Sequence, residues 1–289
     1  MPTPMSDSNP AFSVVLPFKD PGAYFSLALR SVFAQTFEDW ELLLLDDGST
    51  DGSLETARSI QDSRVRVFSD GIRRGAGVRR NQGVEESRGR YVALLDADDA
   101  MTPTRLQLQY EVLRGCSADT VVTGNAYAID AESTVRGMRA GPGIINPTVA
   151  ASREWFVKNP YSEDAAFLRA QDFELWTRTA NLLRIIHIDA PLIYYRCRSD
   201  ADFESYTMSS FAMMRVSTMY SQGRRWRLLS RVTAQLVKLW LVNLSSAFSP
   251  AAWRIDPHTK PLGAGRLRSA ALVLTQIGNT RIPVAACSN

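Results

Sequence analysis

The stretch ELLLLDDGS, Glu41–Ser49, decides the fold. Four consecutive leucines between Glu41 and Asp46 make a continuous apolar run, the pattern of a strand buried on both faces rather than one with a wet side. Working outward, Tyr24–Ala34 carries helical spacing, and before it FSVVLP, Phe12–Pro17, is a second short β-branched run, stopped by proline. On the other side Leu54–Ile60 reads as helix, Val65–Phe68 as strand, Val78–Ser87 as helix and Tyr91–Leu95 as strand. Pro103 suits the first turn of a helix reaching Leu113, and Thr120–Thr123 reads as another strand. This alternation predicts an α/β fold, a mostly parallel central sheet with flanking helices. Beyond it, Gly124–Asn159 is rich in Gly, Pro and Asn and reads as loops and short strands. Asp172–Asn181 is expected as an amphipathic helix, Arg184–Ile188 and Leu192–Tyr195 as strands, and Arg224–Phe248 as a helix.

Composition narrows the chemistry. The 289 residues are 45% hydrophobic and 22% charged, an ordinary globular balance. Three widely spaced cysteines, Cys116, Cys197 and Cys287, exclude a disulfide framework and a CxxC metal knuckle. Two histidines, His187 and His258, argue against a His-ligated metal or a Ser-His-Asp triad, so carboxylates are expected to carry any reaction. MPTPMSDSNP lacks the basic segment and apolar stretch of a secretory signal, and no long uncharged apolar run follows. The expected location is the cytoplasm. Charge is uneven: residues 1–214 hold 22 basic and 29 acidic residues, a balance of −7, whereas 215–289 hold 11 basic and one acidic, a balance of +10.

In parallel sheets ligands bind beyond the carboxyl ends of the strands. Those positions hold Lys19-Asp20, Asp46-Asp47-Gly48-Ser49, Asp70 and Asp96-Ala97-Asp98-Asp99, so acidic residues follow all four of the first strands. A DxD at a strand end suits Mg²⁺ or Mn²⁺, which take one or two protein carboxylates together with phosphate oxygens and water. The other reading of Asp96–Asp99 is a solvated turn with Asp99 capping the next helix. A turn with a helix cap explains Gly48, Ser49 and Asp51 but not the adjacent pair Asp46-Asp47, and Asp47 could accept a base imide N–H or a ribose hydroxyl. Dinucleotide-binding and P-loop sites are excluded, because PFKDPG stands where a GxGxxG would be, GAGVRRNQG has Arg80 in place of the third glycine, and no GxxxxGKS occurs.

Four segments taken in order, FSVVLPFKD, SVFAQTFEDWELLLLDDGSTDGS, GVRRNQGVEESRGRYVALLDADD and AQDFELWTR, resemble family 2 glycosyltransferases over residues 12–200. The resemblance implies a GT-A-like nucleotide-diphospho-sugar transferase fold and inverting sugar transfer, generally with a divalent metal, Mn²⁺ or Mg²⁺. By that resemblance Asp47 contacts the nucleoside base, Pro17 and Lys19 lie beside it, and Arg80 and Asn81 lie near the nucleotide. Asp96 is close to ribose or phosphate, Asp98 coordinates the metal, and Asp172 is the general base. Asp172 also has a reading as N-cap of the helix that follows. Lys19 stands where many relatives carry an aromatic residue able to stack on the base. YRCR, Tyr195–Arg198, replaces the common YRxH, so Arg198 cannot ligate metal but can hold a diphosphate oxygen; surface charge is the other reading of Arg196 and Arg198.

The implied organisation is a disordered leader over residues 1–11, a nucleotide-sugar-binding half over 12–115, an acceptor-side half with the base over 116–214, and a basic helical extension over 215–289. The expected partners are a nucleotide-diphospho-sugar, with UDP foremost, and a glycan or lipid-linked glycan acceptor of cell-surface polysaccharide synthesis. Trp226–Leu244 alternates apolar residues with arginine, which suits either an interfacial helix on anionic lipid at the inner face of the cell membrane or a core helix. No nucleic-acid partner is expected, since charge alone without a binding module carries little. The rival to an enzyme is a non-catalytic sugar-nucleotide-binding or membrane-associated scaffold protein.

Overall fold

The computed structural model describes residues 9–141, 143–197, 203–220 and 259–285, with the backbone alone for 203–207. Residues 1–8, Arg198 and the expected helix Arg224–Phe248 lie outside the described residues. In chain order the elements are β1 (Phe12–Phe18), α1 (Tyr24–Phe33), β2 (Trp40–Asp46), α2 (Ser53–Arg58), β3 (Val65–Phe68), α3 (Ala76–Glu86), β4 (Tyr91–Leu94), β5 (Ala100–Met101) and α4 (Arg105–Leu113). There follow β6 (Thr120–Ile129), β7 (Val135–Arg139), β8 (Ala150–Ser152), α5 (Arg153–Lys158), α6 (Gln171–Arg178), β9 (Arg184–Arg196), α7 (Phe203–Met219), β10 (Thr259–Lys260) and α8 (Ala264–Gly278).

The expected alternation is present, and the sheet is mixed. Its order is β10-β7-β6-β8-β4-β1-β2-β3, with β9 alongside β6 and β5 on β9. Strands β1 to β4 pair in parallel, and β9 is parallel to β6. Strands β5, β7, β8 and β10 are antiparallel additions. Alternating side chains of β1 and β2 feed two cores. Val14, Leu16, Leu42 and Leu44 pack under α1, α2 and α4, with Phe25, Leu29 and Leu106. Val15, Leu43 and Leu45 pack on the opposite face with Val84 of α3, Trp155 and Phe156 of α5 and Leu175 of α6. All four leucines of the run are fully buried, each contributing about 1.5–3 kcal/mol.

The base of the sheet is locked by Glu41. Its Oε1 accepts the Ser13 hydroxyl at 2.6 Å and the Arg88 N–H at 2.6 Å, and its other oxygen meets Arg66 at 3.3 Å. Ser13 Oγ in turn accepts the Gly89 N–H at 2.8 Å. This draws the α3–β4 turn so close that a Cβ on Gly89 would lie 2.5 Å from the Ser13 backbone nitrogen.

Three differences from the sequence expectations bear on the site. The region Gly124–Asn159, expected as loops and short strands, holds the second half of β6 and the short strands β7 and β8, but also the whole of helix α5. The two expected strands over Arg184–Tyr195 are one strand, because Pro191 sits where the β6–β9 register shifts beside Asn125 and needs no ladder donor. Ala264–Gly278, expected only as an unbounded part of the basic helical extension, is a helix that buries Ala270, Leu274 and Ile277 against Ile129, Val135 and Tyr194, next to Leu27 and Ala34 of α1.

Gly89→Ala is expected to lower stability by about 1–3 kcal/mol, since the facing atoms are backbone and cannot rotate away. Urea denaturation with an unchanged midpoint would show that this turn is free to move.

Candidate functional site

The turns after β1 and β2 are tied to each other. Lys19 Nζ hydrogen-bonds the Asp20 carboxylate and approaches the Gly48 carbonyl at 3.4 Å. Asp20, at φ 45°, accepts the Thr50 N–H at 2.6 Å, and Asp51 accepts the Gly22 N–H at 2.8 Å. Pro17 is buried within β1 opposite Leu45, which places it under the turn rather than at its surface.

The adjacent aspartates have separate tasks. Asp46 accepts the Ser49 N–H at 2.9 Å and the Ser69 hydroxyl at 2.7 Å, fixing the β2 turn against the end of β3. Asp47 is 5% exposed and accepts the N–H groups of Arg74 and Gly75 at 2.6 and 3.0 Å, with Arg79 Nε at 3.3 Å. Arg79 is buried and also reaches Asp70 at 2.5 Å and Gln82 at 2.9 Å. The Arg79 and Arg74 guanidiniums hold the Asp70 carboxyl well below the usual carboxylate range. Sequence reading passed over Arg79, since an arginine in a helix reads as solvated until its burial is known.

Asp96 stands past the end of β4, on the wall of a cleft of about 320 Å³ shared with Arg80, Arg139, Arg169, Asp172 and Tyr195. Arg80 donates to Asp96 at 2.6 Å and lies over the Tyr161 ring at 5.4 Å. Burial works against its charge, but Asp96 and, further off, Asp172 outweigh that and raise its pKa. Asp98 offers its carbonyl to Arg196 Nε at 2.9 Å. Asp99 does not cap α4, whose N-cap is Thr104. It is 2% exposed instead, with Oδ1 accepting the Arg196 N–H at 2.8 Å and Oδ2 without a hydrogen-bond partner among the described residues. Burial, then Asp98 and Asp96, push its carboxyl well above the usual range.

Two buried arginines carry this acidic turn. Arg105, fully buried, donates to the carbonyls of Leu94 and Val149 at 2.8 and 3.2 Å, and burial draws its pKa down to about 9. Arg196, read from sequence as a candidate surface charge, is 4% exposed; its guanidinium lies 4.0 Å from the Tyr24 ring centroid and donates to Ser133 at 3.0 Å.

Helix α6 starts at Gln171 with Ala170 as its N-cap, so Asp172 is in the first turn and is not the cap. The carboxylate is exposed at the cleft, with Oδ1 accepting the Phe173 N–H at 2.8 Å. Gln171, which carried no expectation, is the clamp beside it. It accepts the Gly77 N–H of α3 at 2.9 Å and donates to the Ser162 carbonyl at 3.3 Å. Asn81 spends its amide on the same segment, bonding Tyr161 at 2.9 and 2.8 Å and Glu163 at 3.0 Å. The structure therefore brings Arg80, Asp96 and Asp172 to one cleft, while Asn81 braces the segment ahead of α6, Pro17 lies under the β1 turn, and Lys19 and Asp47 border the neighbouring turns.

Among the described residues no group of three or more His, Cys, Asp or Glu side chains could hold a metal by itself. The donor set at Asp96 and Asp98 is all oxygen, and one Asp96 oxygen is taken by Arg80. That fits a hard divalent cation that completes its shell with phosphate oxygens and water, and not a caged structural ion.

A mixed, helix-flanked sheet with carboxylates beyond its strand ends defines the GT-A class of fold, and solved structures share it. Staphylococcus aureus TarS residues 1–349 in complex with UDP superposes with a TM-score of 0.55 at 17% identity, covering 85% of this chain and 75% of that one. The Pyrobaculum calidifontis mannosyltransferase PcManGT, in complex with GDP-Man and Mn²⁺, gives 0.58 at 13% identity, covering 94% and 86%. Residues 13–173 match glycosyl transferase family 2, and the chain belongs to that family. Glycosyltransferase GlyG of Streptococcus pneumoniae is 35% identical over 41% of this chain and 40% of its own length. The Escherichia coli UDP-Glc:alpha-D-GlcNAc-diphosphoundecaprenol beta-1,3-glucosyltransferase WfgD is 28% identical over 57% and 67%. For GlyG and an uncharacterized Haemophilus influenzae glycosyltransferase, the match spans about two fifths of the relative's length.

Gln171→Leu removes the acceptor for a buried N–H and is expected to cost about 1–3 kcal/mol in urea denaturation at about pH 4, whereas Gln171→Glu at the same pH, where a protonated carboxyl supplies both that acceptor and a donor to the Ser162 carbonyl, retains most of the stability. Equal losses in the two variants would refute the clamp.

Proposed function

We propose that this chain transfers a sugar with inversion from a nucleotide-diphospho-sugar, UDP foremost, to a hydroxyl of a glycan or lipid-linked glycan. The observation that carries the reading is the shared cleft of Asp96 and Asp172, one carboxylate past a sheet strand and the other in the first turn of a helix. A UDP donor is supported by the UDP complex of TarS and the UDP-Glc named for WfgD, and a lipid-diphosphate-linked acceptor by WfgD.

In this mechanism the Asp172 carboxylate takes the proton of the acceptor hydroxyl as its oxygen forms a bond to the anomeric carbon. The bond from that carbon to the nucleoside diphosphate breaks on the opposite face. One carboxylate suffices as base, whereas retention through a covalent intermediate would need a nucleophile paired with an acid. Asp98, with Asp96, would hold a divalent cation, which when bound supplies positive charge to the departing diphosphate. Arg80, kept charged between Asp96 and Asp172, orients the Asp96 carboxylate and adds a fixed positive charge at the cleft. Lys19 and Pro17 lie at the nucleoside end. Asp47 can accept a base N–H there by exchanging one of its bonds to Arg74 or Gly75. No helix among the described residues is long and apolar enough to cross a membrane. Peripheral contact of the +10 region 215–289 with anionic lipid would bring the enzyme to a membrane-held acceptor.

Asp172→Asn is expected to slow transfer by about 10²–10⁴-fold without weakening nucleotide binding; undiminished turnover rules out the base role. Asp98→Ala is expected to abolish the Mn²⁺-dependent part of UDP affinity in calorimetric titration, and an unchanged metal dependence removes Asp98 from the cation site. Metal-dependent UDP binding without transfer from any UDP-sugar would favour a non-catalytic binding protein.

A further inference from the structure

We infer that Asn146 is a substrate-binding residue of the cleft, its side-chain NH₂ held in one orientation to donate a hydrogen bond to an uncharged oxygen of a substrate sugar, a hydroxyl or an acetamido carbonyl. The inference rests on the transferase reading above and adds to it a group that selects the sugar. Asn146 opens a short 3₁₀ turn, Asn146–Thr148, between β7 and β8. The turn is fixed from below: the Asn146 carbonyl accepts the Val149 N–H at 3.0 Å, and Thr148 bonds the Thr123 hydroxyl at 2.7 Å and receives the Gln109 amide at 2.8 Å.

The side chain is 8% exposed and stands on the wall of the cleft that holds Asp96 and Asp172. Its Oδ1 accepts the Tyr161 hydroxyl at 3.0 Å and Trp176 Nε1 at 3.2 Å. An indole N–H can only donate, so the amide atom beside Trp176 is the oxygen; the flipped amide would set two donors against each other. Trp176 is itself stacked on Trp155, with ring centroids 5.5 Å apart, and burial pushes the Tyr161 phenol up, which keeps it a donor. With Oδ1 taken twice, the NH₂ is what Asn146 presents to the cleft, and among the described residues it has no hydrogen-bond partner. A donor fixed before its ligand arrives adds affinity at little cost in ordering, and a few such polar groups on a pocket wall set orientation and specificity.

Place and charge set what it reads. Trp176 stands one turn after Asp172 on α6, and residues four apart share a helix face, so Asn146 is bonded to the face that carries the proposed base. The charge of a diphosphate is matched by the cation proposed at Asp96 and Asp98, whereas a planar, uncharged amide N–H is matched to the neutral oxygens of a sugar. Donor and acceptor sugars offer the same oxygens, and the experiment separates them.

The test uses the full chain with Mn²⁺, titrated with UDP, UDP-glucose and UDP-GlcNAc, and an alkyl α-GlcNAc diphosphate as acceptor. Asn146→Asp keeps an oxygen for Tyr161 and Trp176 and replaces the NH₂ by a second oxygen, so its melting temperature should stay near that of the parent. Asn146→Leu removes the amide without adding charge. If the NH₂ reads the donor sugar, both variants raise the ratio of the UDP-sugar Kd to the UDP Kd by about three- to tenfold, the size of one neutral hydrogen bond. Taking the ratio cancels the repulsion that a new carboxylate exerts on the shared diphosphate. If the NH₂ reads the acceptor sugar, the ratio holds and the acceptor KM rises by about the same factor in both variants. Either result supports the inference and names the sugar. An unchanged ratio with an unchanged acceptor KM overturns it. So does a loss confined to one variant, since Asn146→Leu alone would report a purely structural amide and Asn146→Asp alone the added charge. A parent enzyme that binds UDP-sugars but transfers to no acceptor would sink the transferase reading instead, and the ratio alone would then decide on Asn146.

Discussion

Carboxylates crowd the ends of the first four strands, and they stay together because guanidiniums are buried among them. Two like charges about 4 Å apart repel by roughly 4 kcal/mol at the effective dielectric of a protein surface, so an acidic rim without internal cations would splay or take up protons. Arg79 draws Asp47 and Asp70 together from the ends of β2 and β3. Arg80 holds Asp96, and Arg196 receives the Asp98 carbonyl while its own N–H satisfies Asp99. Arg105 fastens the last residue of β4 to the segment entering β8. The turns of the site are thus held by charge-assisted bonds whose donors are largely shielded from water, and salt screens such pairs much less than it screens surface pairs.

The same arrangement separates rigid and open parts of the site. Around Asp46, Asp47 and Asn81 the polar atoms are consumed by the protein's own backbone and by each other, so these residues shape the turns. Asp172 and Arg169 are exposed at the cleft. The exposed charged groups of the cleft are therefore concentrated where α6 begins, on a helix start that Gln171 fastens to α3. A Cβ on Gly77 would lie 2.6 Å from the Gln171 amide, so the clamp would have to shift to admit one.

Local pattern made the first 115 residues legible. ELLLLD declared a two-faced strand because burial on both sides leaves no polar alternation, and each strand end was marked by acidic residues. What the pattern did not carry depended on distant partners. Arg79, Arg105 and Arg196 look like ordinary surface charges in a one-dimensional reading, and their burial follows from carboxylates and carbonyls contributed by other strands. Asp172 had a second reading as a helix cap, and it stands one residue inside α6, beside a Gln171–Gly77 contact that joins residues 94 apart in sequence. Strand β9 runs through Pro191 because its partner β6 shifts register there, which no property of Pro191 announces. Helix α8 lacks a strong amphipathic signature, since its buried face is only Ala270, Leu274 and Ile277.

That helix and the segment after it return to the beginning of the molecule. Tyr194 hydrogen-bonds the Ala270 carbonyl at 2.9 Å, Arg30 of α1 reaches the Thr280 carbonyl, and Ser59, Ile60 and Gln61 pair with Pro283–Ala285. During synthesis Leu27 and Ala34 leave the ribosome about 230 residues ahead of the side chains that cover them, a delay on the order of ten to fifty seconds at ordinary translation rates. Closing contacts of such long sequence separation is also slow in the finished chain. The outer side of α1 thus stays uncovered until the residues of α8 have been made, and its apolar side chains depend on a partner that the first half of the chain does not supply.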